Sequence, residues 1–370
     1  MDSSLPMLPQ NLYALRPYIA IWEVTRACDL ACVHCRAEAM PQRPADELST
    51  RQGLALIRQI AEWKVPLFVM TGGDPLKRED LQDLVAECEK QGMNFALAPS
   101  VTPLLNGESL RRLKEAGVHR ISLSLDGADA YTHDTFRGIP GTFDRFMEAA
   151  CRIKEMGIHL QVNTTICRHN KDQVWDMARV IKALDIDLWS VFFLVPTGRA
   201  GKDQALNAAE TESVLNQLYE LLELRWFDIK TTEAHHFRRV ILQRSGVLPE
   251  QLLRTIGDKP DPVLLRVARG VSDGRGFVFI SSTGEVCPSG FLPLSGGNLK
   301  DKPLSEIYQA SPLFKRLRDP DSLQGKCGRC DFRYFCGGSR ARGYAMTGNV
   351  MGADPYCSYQ PLSRNPAAKA

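Results

Sequence analysis

Residues 19–35 read IAIWEVTRACDLACVHC, a β-rich run followed at once by cysteines at 28, 32 and 35. Taken as a strand, Ile19–Val24 places Cys28, Cys32 and Cys35 on the loop leaving its carboxyl end. Runs of the same kind recur at Leu67–Met70, Asn94–Ala98, Arg120–Leu125, Leu160–Thr165 and Leu188–Phe193. Between them lie amphipathic stretches, such as the stripe of Val174, Met177, Ala178 and Ile181, several ending at a glycine: Gly92, Gly117 and Gly157. That alternation predicts a parallel α/β unit with right-handed crossovers. Six βα units make either an open doubly wound sheet or a curved barrel, and periodicity does not choose between them. In both, chemistry gathers beyond the carboxyl ends of the strands. Cys28 follows strand one, Gly72 and Gly73 strand two and Asp126 strand four, while Asn163 ends strand five and Pro196 to Arg199 follow strand six.

From about residue 205 the pattern changes to a longer helix, Glu210–Leu224, a short β-like run, Phe227–Thr232, and a polar stretch reaching Gly276. This reads as a bridge. Beyond it, Phe277–Ser282 and the Gly284 turn suggest a hairpin, followed by glycine- and proline-rich loops with clustered cysteines, a segment held by metal rather than by a core. The expected organisation is an N-terminal extension (1–17), an α/β unit (18–204), a bridging helix and linker (205–276), a small cysteine-rich domain (277–360) and a tail (361–370).

The 370 residues carry 46 basic and 43 acidic side chains, a net charge of +3, which leaves no electrostatic footprint for nucleic acid or an anionic membrane surface. No apolar run approaches the ~18 residues of a membrane span, and no charged-then-apolar leader opens the chain, so a cytoplasmic location is expected. Eight of the eleven cysteines fall in two groups near the ends. Of the other three, Cys88 and Cys151 sit at helical spacing among apolar residues and read as core or helix-surface thiols; Cys167 follows a strand end.

Three thiolates without a fourth local cysteine leave one metal position open, as a catalytic rather than a structural site does. The spacing Cys28-x3-Cys32-x2-Cys35 resembles the hallmark of the radical S-adenosylmethionine (SAM) superfamily. The resemblance implies a partial (β/α)6 barrel, a [4Fe-4S] cluster on those three cysteines, and SAM chelating the open iron, to be cleaved by one electron to a 5'-deoxyadenosyl radical. It also implies an electron donor such as flavodoxin or ferredoxin. Thr71-Gly72-Gly73-Asp74-Pro75 is similar to the family's Gly-Gly-Glu-Pro segment, which receives the cofactor's amino group. Asp74 keeps an anionic acceptor one methylene shorter, so exchange for Glu is expected to be nearly harmless. By the same resemblance Ser124, Asp126 and Asn163 approach the ribose and carboxylate, Arg137-Gly138 offers a guanidinium to the carboxylate, and Gly198 lies in the adenine-side loop Val195–Arg199.

Near the other end, Cys327-x2-Cys330-x5-Cys336-x20-Cys357 supplies four thiolates, enough to close a cluster with no open iron. Zinc is the rival occupant. The pattern resembles the SPASM auxiliary-cluster domain, with Arg340 and Lys302 where two further cysteines are usual, so one auxiliary [4Fe-4S] cluster is expected and Cys287 is left without a set. Trp22–Arg26, Val195–Arg199 and Cys336–Gly348 look most like the branch that removes or oxidatively decarboxylates tetrapyrrole side chains. Arg238, Arg239, Arg340 and Arg342 are available to meet carboxylates, although such clusters are usually solvated, and His235-His236 to meet a porphyrin iron. Maturases of ribosomal peptides share the cofactor motifs; the 27 residues before Cys28 are few for a leader-recognition domain. An iron–sulfur electron carrier or zinc-binding module is the alternative of another class, and the open three-cysteine site argues against it.

Overall fold

A computed structural model describes residues 13–252 and 261–361. Most of the expected N-terminal extension (1–12), nearly all of the tail (362–370) and part of the bridge (253–260) lie outside the described residues. Among these residues the strands are β1 (Ile19–Glu23), β2 (Leu67–Thr71), β3 (Phe95–Leu97), β4 (Arg120–Ser124), β5 (His159–Ile166), β6 (Leu188–Phe193), β7 (Asp228–Thr232), β8 (Phe277–Ile280) and β9 (Val286–Cys287). They form a single sheet in the order β7-β6-β5-β4-β3-β2-β1-β8-β9, parallel throughout except for the antiparallel β8–β9 pair. The sheet curls into a half-barrel, the alternative that periodicity had left open.

The helices cover its outer face. They are α1 (Thr50–Glu62), α2 (Leu81–Lys90), α3 (Gly107–Glu115), α4 (Ala130–Arg137), α5 (Thr142–Glu155), α6 (Val174–Ala183) and α7 (Ala208–Glu223). Each begins and ends for local reasons. Ser49 and Gln52 close a capping box on α1, and Asn207 and Glu210 do the same on α7. Gly92, Gly117 and Gly157 take positive φ just past α2, α3 and α5, as their helix-ending positions predicted. Strand alternation then sorts side chains. Ala20, Trp22, Phe68, Met70, Ile121, Leu123, Leu160 and Val162 point outward into a continuous apolar core with the helices. Their neighbours Ile21, Val69, Ser122 and Gln161 face an inner cavity.

The stretch expected as a bridge is part of the barrel. After α7 the chain enters β7, which pairs with β6 from Leu188↔Asp228 to Phe192↔Thr232. The β-like run read from sequence at Phe227–Thr232 is this strand; its place in the barrel was not legible because only Ile229 is buried against the core while the rest faces solvent or the cavity. The Phe277 hairpin is present, and β8 also pairs in parallel with β1, which closes the far side of the half-barrel. That pairing joins residues more than 250 positions apart, beyond any local pattern. The remaining helices are α8 (Phe237–Arg244), α9 (Pro262–Ala268), α10 (Leu304–Ala310), α11 (Pro312–Arg318), α12 (Gly325–Gly328) and α13 (Arg340–Thr347). Among the described residues no helix is long and apolar enough to cross a membrane.

Candidate active site

A cavity of about 460 Å³ fills the concave face of the half-barrel. Cys28, Cys32 and Cys35 line it, on a loop folded back on itself by the Cys28 N–H donating to Met40 O (2.8 Å) and Met40 N–H donating to Arg26 O (3.1 Å). Backbone amides point at two of the sulfurs: Leu30 N–H at Cys28 Sγ and Ala39 N–H at Cys35 Sγ, each 3.4 Å. Arg137 Nη1 lies 3.7 Å from Cys32 Sγ. Burial pushes the Cys28 and Cys32 thiols up, with Ser100 opposing it at Cys28 and Arg137 at Cys32. Donors of this kind stabilise bound, anionic sulfur.

The glycine segment is locked edge-on to this loop. Gly73 N–H donates to Thr25 O (2.7 Å) and Asp74 N–H to Ala27 O (2.6 Å). A Cβ on Gly72 would stand 2.6 Å from Thr25 O, and one on Gly73 2.5 Å from Ala27 O, so no side chain fits there. Gly198 is required for a related reason: at φ +59° its backbone lies against the cysteine loop, and a Cβ would meet Cys35 O and Arg36 O at 2.5 Å.

Of the residues singled out from the sequence, Cys28, Cys32, Cys35, Gly72, Gly73, Ser124, Arg137 and Asn163 line the same cavity. Asp74, Asp126 and Gly198 stand behind its wall. Asp74 is fully buried and its oxygens are occupied: Oδ2 accepts from Thr102 Oγ1 (2.7 Å), Oδ1 from Leu76 N–H (3.1 Å) and Ser100 N–H (3.3 Å). Burial raises its carboxyl to about 6, against those bonds. Asp126, also fully buried, accepts from Thr165 N–H (2.6 Å) and pairs with Arg137, so it holds the guanidinium that reaches Cys32. Asn163 accepts at Oδ1 from Gln161 Nε2 (2.6 Å).

Sequence reasoning passed over strand three. Ser100, two residues beyond Ala98, donates from its hydroxyl to Gly73 O (2.7 Å) and lies 3.4 Å from Cys28 Sγ; the rule that chemistry follows strand ends would have found it. His34, between two of the cysteines, stacks on Phe136 at 4.0 Å between centroids and 7° between planes, and Phe136 in turn stacks on His169. Burial holds His34 well below the ordinary histidine range, so the ring is neutral.

The second cysteine group lines a separate, smaller pocket in which Cys327, Cys330, Cys336 and Cys357 meet. Gly338 N–H points at Cys336 Sγ (3.3 Å) and Asp354 N–H at Cys327 Sγ (3.4 Å). Among the described residues no three or more His, Cys, Asp or Glu side chains converge on a point for a single metal ion. The four thiols line one pocket, and four thiolates are the complement a [4Fe-4S] cluster takes. Arg340 is buried, donates to Gly352 O (2.6 Å), and lies 3.9 Å from Cys327 Sγ; Lys302 is at the surface in an ion pair with Glu306 (2.7 Å). Cys287 lies outside this pocket on β9, its thiol pushed by burial to about 12, as are those of Cys88 and Cys167. The arginines read as solvated are not. Arg342 is buried in an ion pair with Asp354 (2.6 Å), and Arg239 in one with Glu212. The adjacent histidines divide: His235 lines the main cavity, His236 the thiol pocket.

The sequence pattern of the radical SAM superfamily matches residues 22–181, and that of the SPASM iron–sulfur cluster-binding domain matches residues 272–331. The chain is 41% identical over 349 residues to an AdoMet-dependent heme synthase of Oleidesulfovibrio alaskensis, spanning 94% of this chain and 88% of that one. The chain belongs to the radical SAM superfamily. It is an enzyme of that family, whose radical SAM domain implies a [4Fe-4S] cluster and SAM, and whose SPASM domain implies auxiliary iron–sulfur binding. A PqqA peptide cyclase of Bradyrhizobium diazoefficiens is 27% identical, over 94% of this radical SAM enzyme and 87% of the cyclase. Its fold matches that of Streptococcus suis SuiB bound to S-adenosylmethionine, with a TM-score of 0.71 at 17% identity over 93% of this chain and 77% of SuiB. The donor set fits the groups the family implies: three thiols at the cavity wall beside a glycine edge that excludes any Cβ, and four thiols around a second pocket.

The position of Asp74 gives an expected result for this enzyme. Asp74→Ala frees the Ser100–Thr102 loop from the glycine segment and lowers stability by about 1–3 kcal/mol, the cost of stranding buried donors. SAM affinity falls with it, and iron content holds. Asp74→Glu adds a methylene at a fully buried, fully hydrogen-bonded position and is expected to cost about 1–3 kcal/mol through overpacking, not the near-neutral exchange expected from sequence. Thermal denaturation of the three proteins checks both values.

Proposed function

We propose that this radical SAM enzyme acts on an anionic tetrapyrrole and removes or oxidatively decarboxylates an acetate or propionate side chain. The observation that carries the reading is the 41% identity to an AdoMet-dependent heme synthase along almost the whole of both chains. The cavity supports it: the cysteine loop stands at its wall, and Arg120, Lys230, His235 and Arg238 add polar or cationic side chains elsewhere on the lining.

When bound on Cys28, Cys32 and Cys35, a [4Fe-4S] cluster supplies the electron that cleaves SAM reductively. The rest is done by the chain's own groups. The Gly72–Gly73 edge lets backbone approach the cofactor closely, and Ser124 and Asn163 present a hydroxyl and an amide to it from adjacent strands. Asp126 fixes Arg137 beside Cys32, and the His34–Phe136–His169 stack packs an apolar wall against the cysteine loop. The four thiols of Cys327, Cys330, Cys336 and Cys357 hold one auxiliary cluster in this reading, since Arg340 and Lys302 contribute no thiolate. A small electron-transfer protein such as flavodoxin or ferredoxin supplies the electrons.

Incubation of the reduced, anaerobically reconstituted enzyme with SAM and iron coproporphyrin III, a porphyrin with four propionates, is the test. The expected result is a shifted porphyrin spectrum, 5'-deoxyadenosine formation above the substrate-free rate, and a product lighter by carboxyl groups. No spectral shift and no stimulation overturns the tetrapyrrole reading, and stimulation by a short peptide instead favours a peptide maturase.

A further inference from the structure

Four polar side chains stand side by side across the inner face of the half-barrel. The sheet register sets Ser124 beside Asn163, Asn163 beside Ser190, and Ser190 beside Lys230 on four consecutive strands. All four line the cavity. Two of them lack adequate partners. Ser190 is fully buried, and its hydroxyl oxygen has no hydrogen-bond partner among the described residues. Lys230 Nζ reaches only Gln161 Oε1, at a long 3.4 Å, and forms no ion pair among the described residues.

The acid on its own strand and those on the cavity wall are committed elsewhere. Asp228, on the same strand, pairs with Arg266 (2.9 Å). Glu233 accepts from Ser289 and Ser339, and Asp273 from the backbone N–H groups of Arg340 and Ala341. Arg266 and Arg120 lie near enough to repel the ammonium, and burial together with that repulsion lowers Lys230 to about 8. A cation drawn out of water without a counter-charge is costly, and an anion entering the cavity removes that cost. Arg120 lines the same cavity and also forms no ion pair among the described residues. Arg199 and Arg238 also line the cavity without an ion pair, but each donates to a backbone carbonyl, Ala39 O and Phe335 O, while Arg137 is neutralised by Asp126; Lys230 has only its long bond to Gln161.

We propose that Lys230, with the Ser190 hydroxyl beside it, binds a substrate carboxylate that does not react, and so sets which side chain of the substrate faces the cysteine loop. This rests on the reading of the substrate as a polycarboxylate tetrapyrrole. Arg120 meets a second carboxylate further along the wall. Lys230 is a binding residue that fixes orientation, and the reacting group lies elsewhere on the substrate.

The test is titration of the reconstituted holoenzyme, with SAM present, by iron coproporphyrin III, followed by absorbance. Lys230→Met is expected to raise the porphyrin Kd about tenfold to a hundredfold, the loss of a charge-assisted bond. Lys230→Arg recovers most of the affinity, Ser190→Ala costs a few-fold, and the Kd for SAM stays at the wild-type value in all three. If Lys230→Met binds the porphyrin as tightly as wild type, the anchor is overturned and the tetrapyrrole reading stands. A parallel loss of SAM affinity in that variant assigns Lys230 to the fold and overturns the anchor as well. A wild-type enzyme that binds no porphyrin overturns the substrate reading, and the anchor with it.

Discussion

Replacing Cys28, Cys32 and Cys35 together by alanine abolishes 5'-deoxyadenosine formation from SAM under dithionite. The three thiols are the cavity's only sulfur donors among the described residues, and the amides of Leu30 and Ala39 already point at two of them. No neighbouring thiol substitutes, since Cys88 and Cys167 are buried in apolar packing. With four thiolates per [4Fe-4S] cube in the second pocket, the variant retains about four irons per chain where the wild type holds about eight. Iron and sulfide analysis beside a single-turnover SAM assay checks both halves. Deoxyadenosine from the triple variant above background would remove these cysteines from the chemistry, and loss of all iron would show that the two sites do not load independently.

Cys330→Ala has the next largest effect, and it acts on the fold. The segment from Gly325 to Tyr359 has only a four-residue and an eight-residue helix; it packs Phe332, Phe335, Ala341, Met351 and Tyr356 into the core, against expectation from sequence, and the rest of its order comes from the thiol pocket and the buried Arg342–Asp354 ion pair. Arg342 and Asp354, both fully buried, bind each other while Asp354 also accepts from Ser339 N–H (2.9 Å). That network holds the segment's two arms together, and the thiols take weak N–H donors from Gly338, Asp354 and Arg340. Losing one ligand costs the variant about four irons and, because metal binding here is folding energy, most of the segment's resistance to proteolysis. Cys287→Ala leaves the iron count unchanged, because Cys287 lies outside the pocket on β9. Limited proteolysis and iron analysis of the two variants separate these outcomes. About twelve irons in the wild type, or four with bound zinc, would mean that the auxiliary ligands are different from these.

The two carboxylates show where sequence and structure part. Asp74 and Asp126 were read as facing the cofactor through the family resemblance of their segments, both of which follow strand ends, and strand ends do converge. Burial turned both the other way, onto Thr102, Ser100 and Leu76 in one case and onto Arg137 and Thr165 in the other. The spacing of a motif places a residue's backbone; which way its side chain turns depends on donors from distant strands. Strand β7 was read as a short β-like run but placed in a bridge, for a related reason. Half-buried strands show themselves by alternation against a core, and β7 spends its polar face on a cavity, so nothing in Asp-Ile-Lys-Thr-Thr announces that it extends the barrel.

The sequence by itself determined the βα repeat, the helix stops at glycine, both groups of cysteines and the family they announce, because turn chemistry, periodicity and ligand spacing are local properties of the chain. The curl of the sheet, open to periodicity, was already implied by the family resemblance; only the tertiary structure decided that it takes up β7 and β8, that His235 and His236 serve different pockets, and that Lys230 stands in the cavity without a counter-charge. Those outcomes depend on which strands become neighbours and which charges find partners in low dielectric. Both are settled between residues far apart in the chain, where no short motif can record them.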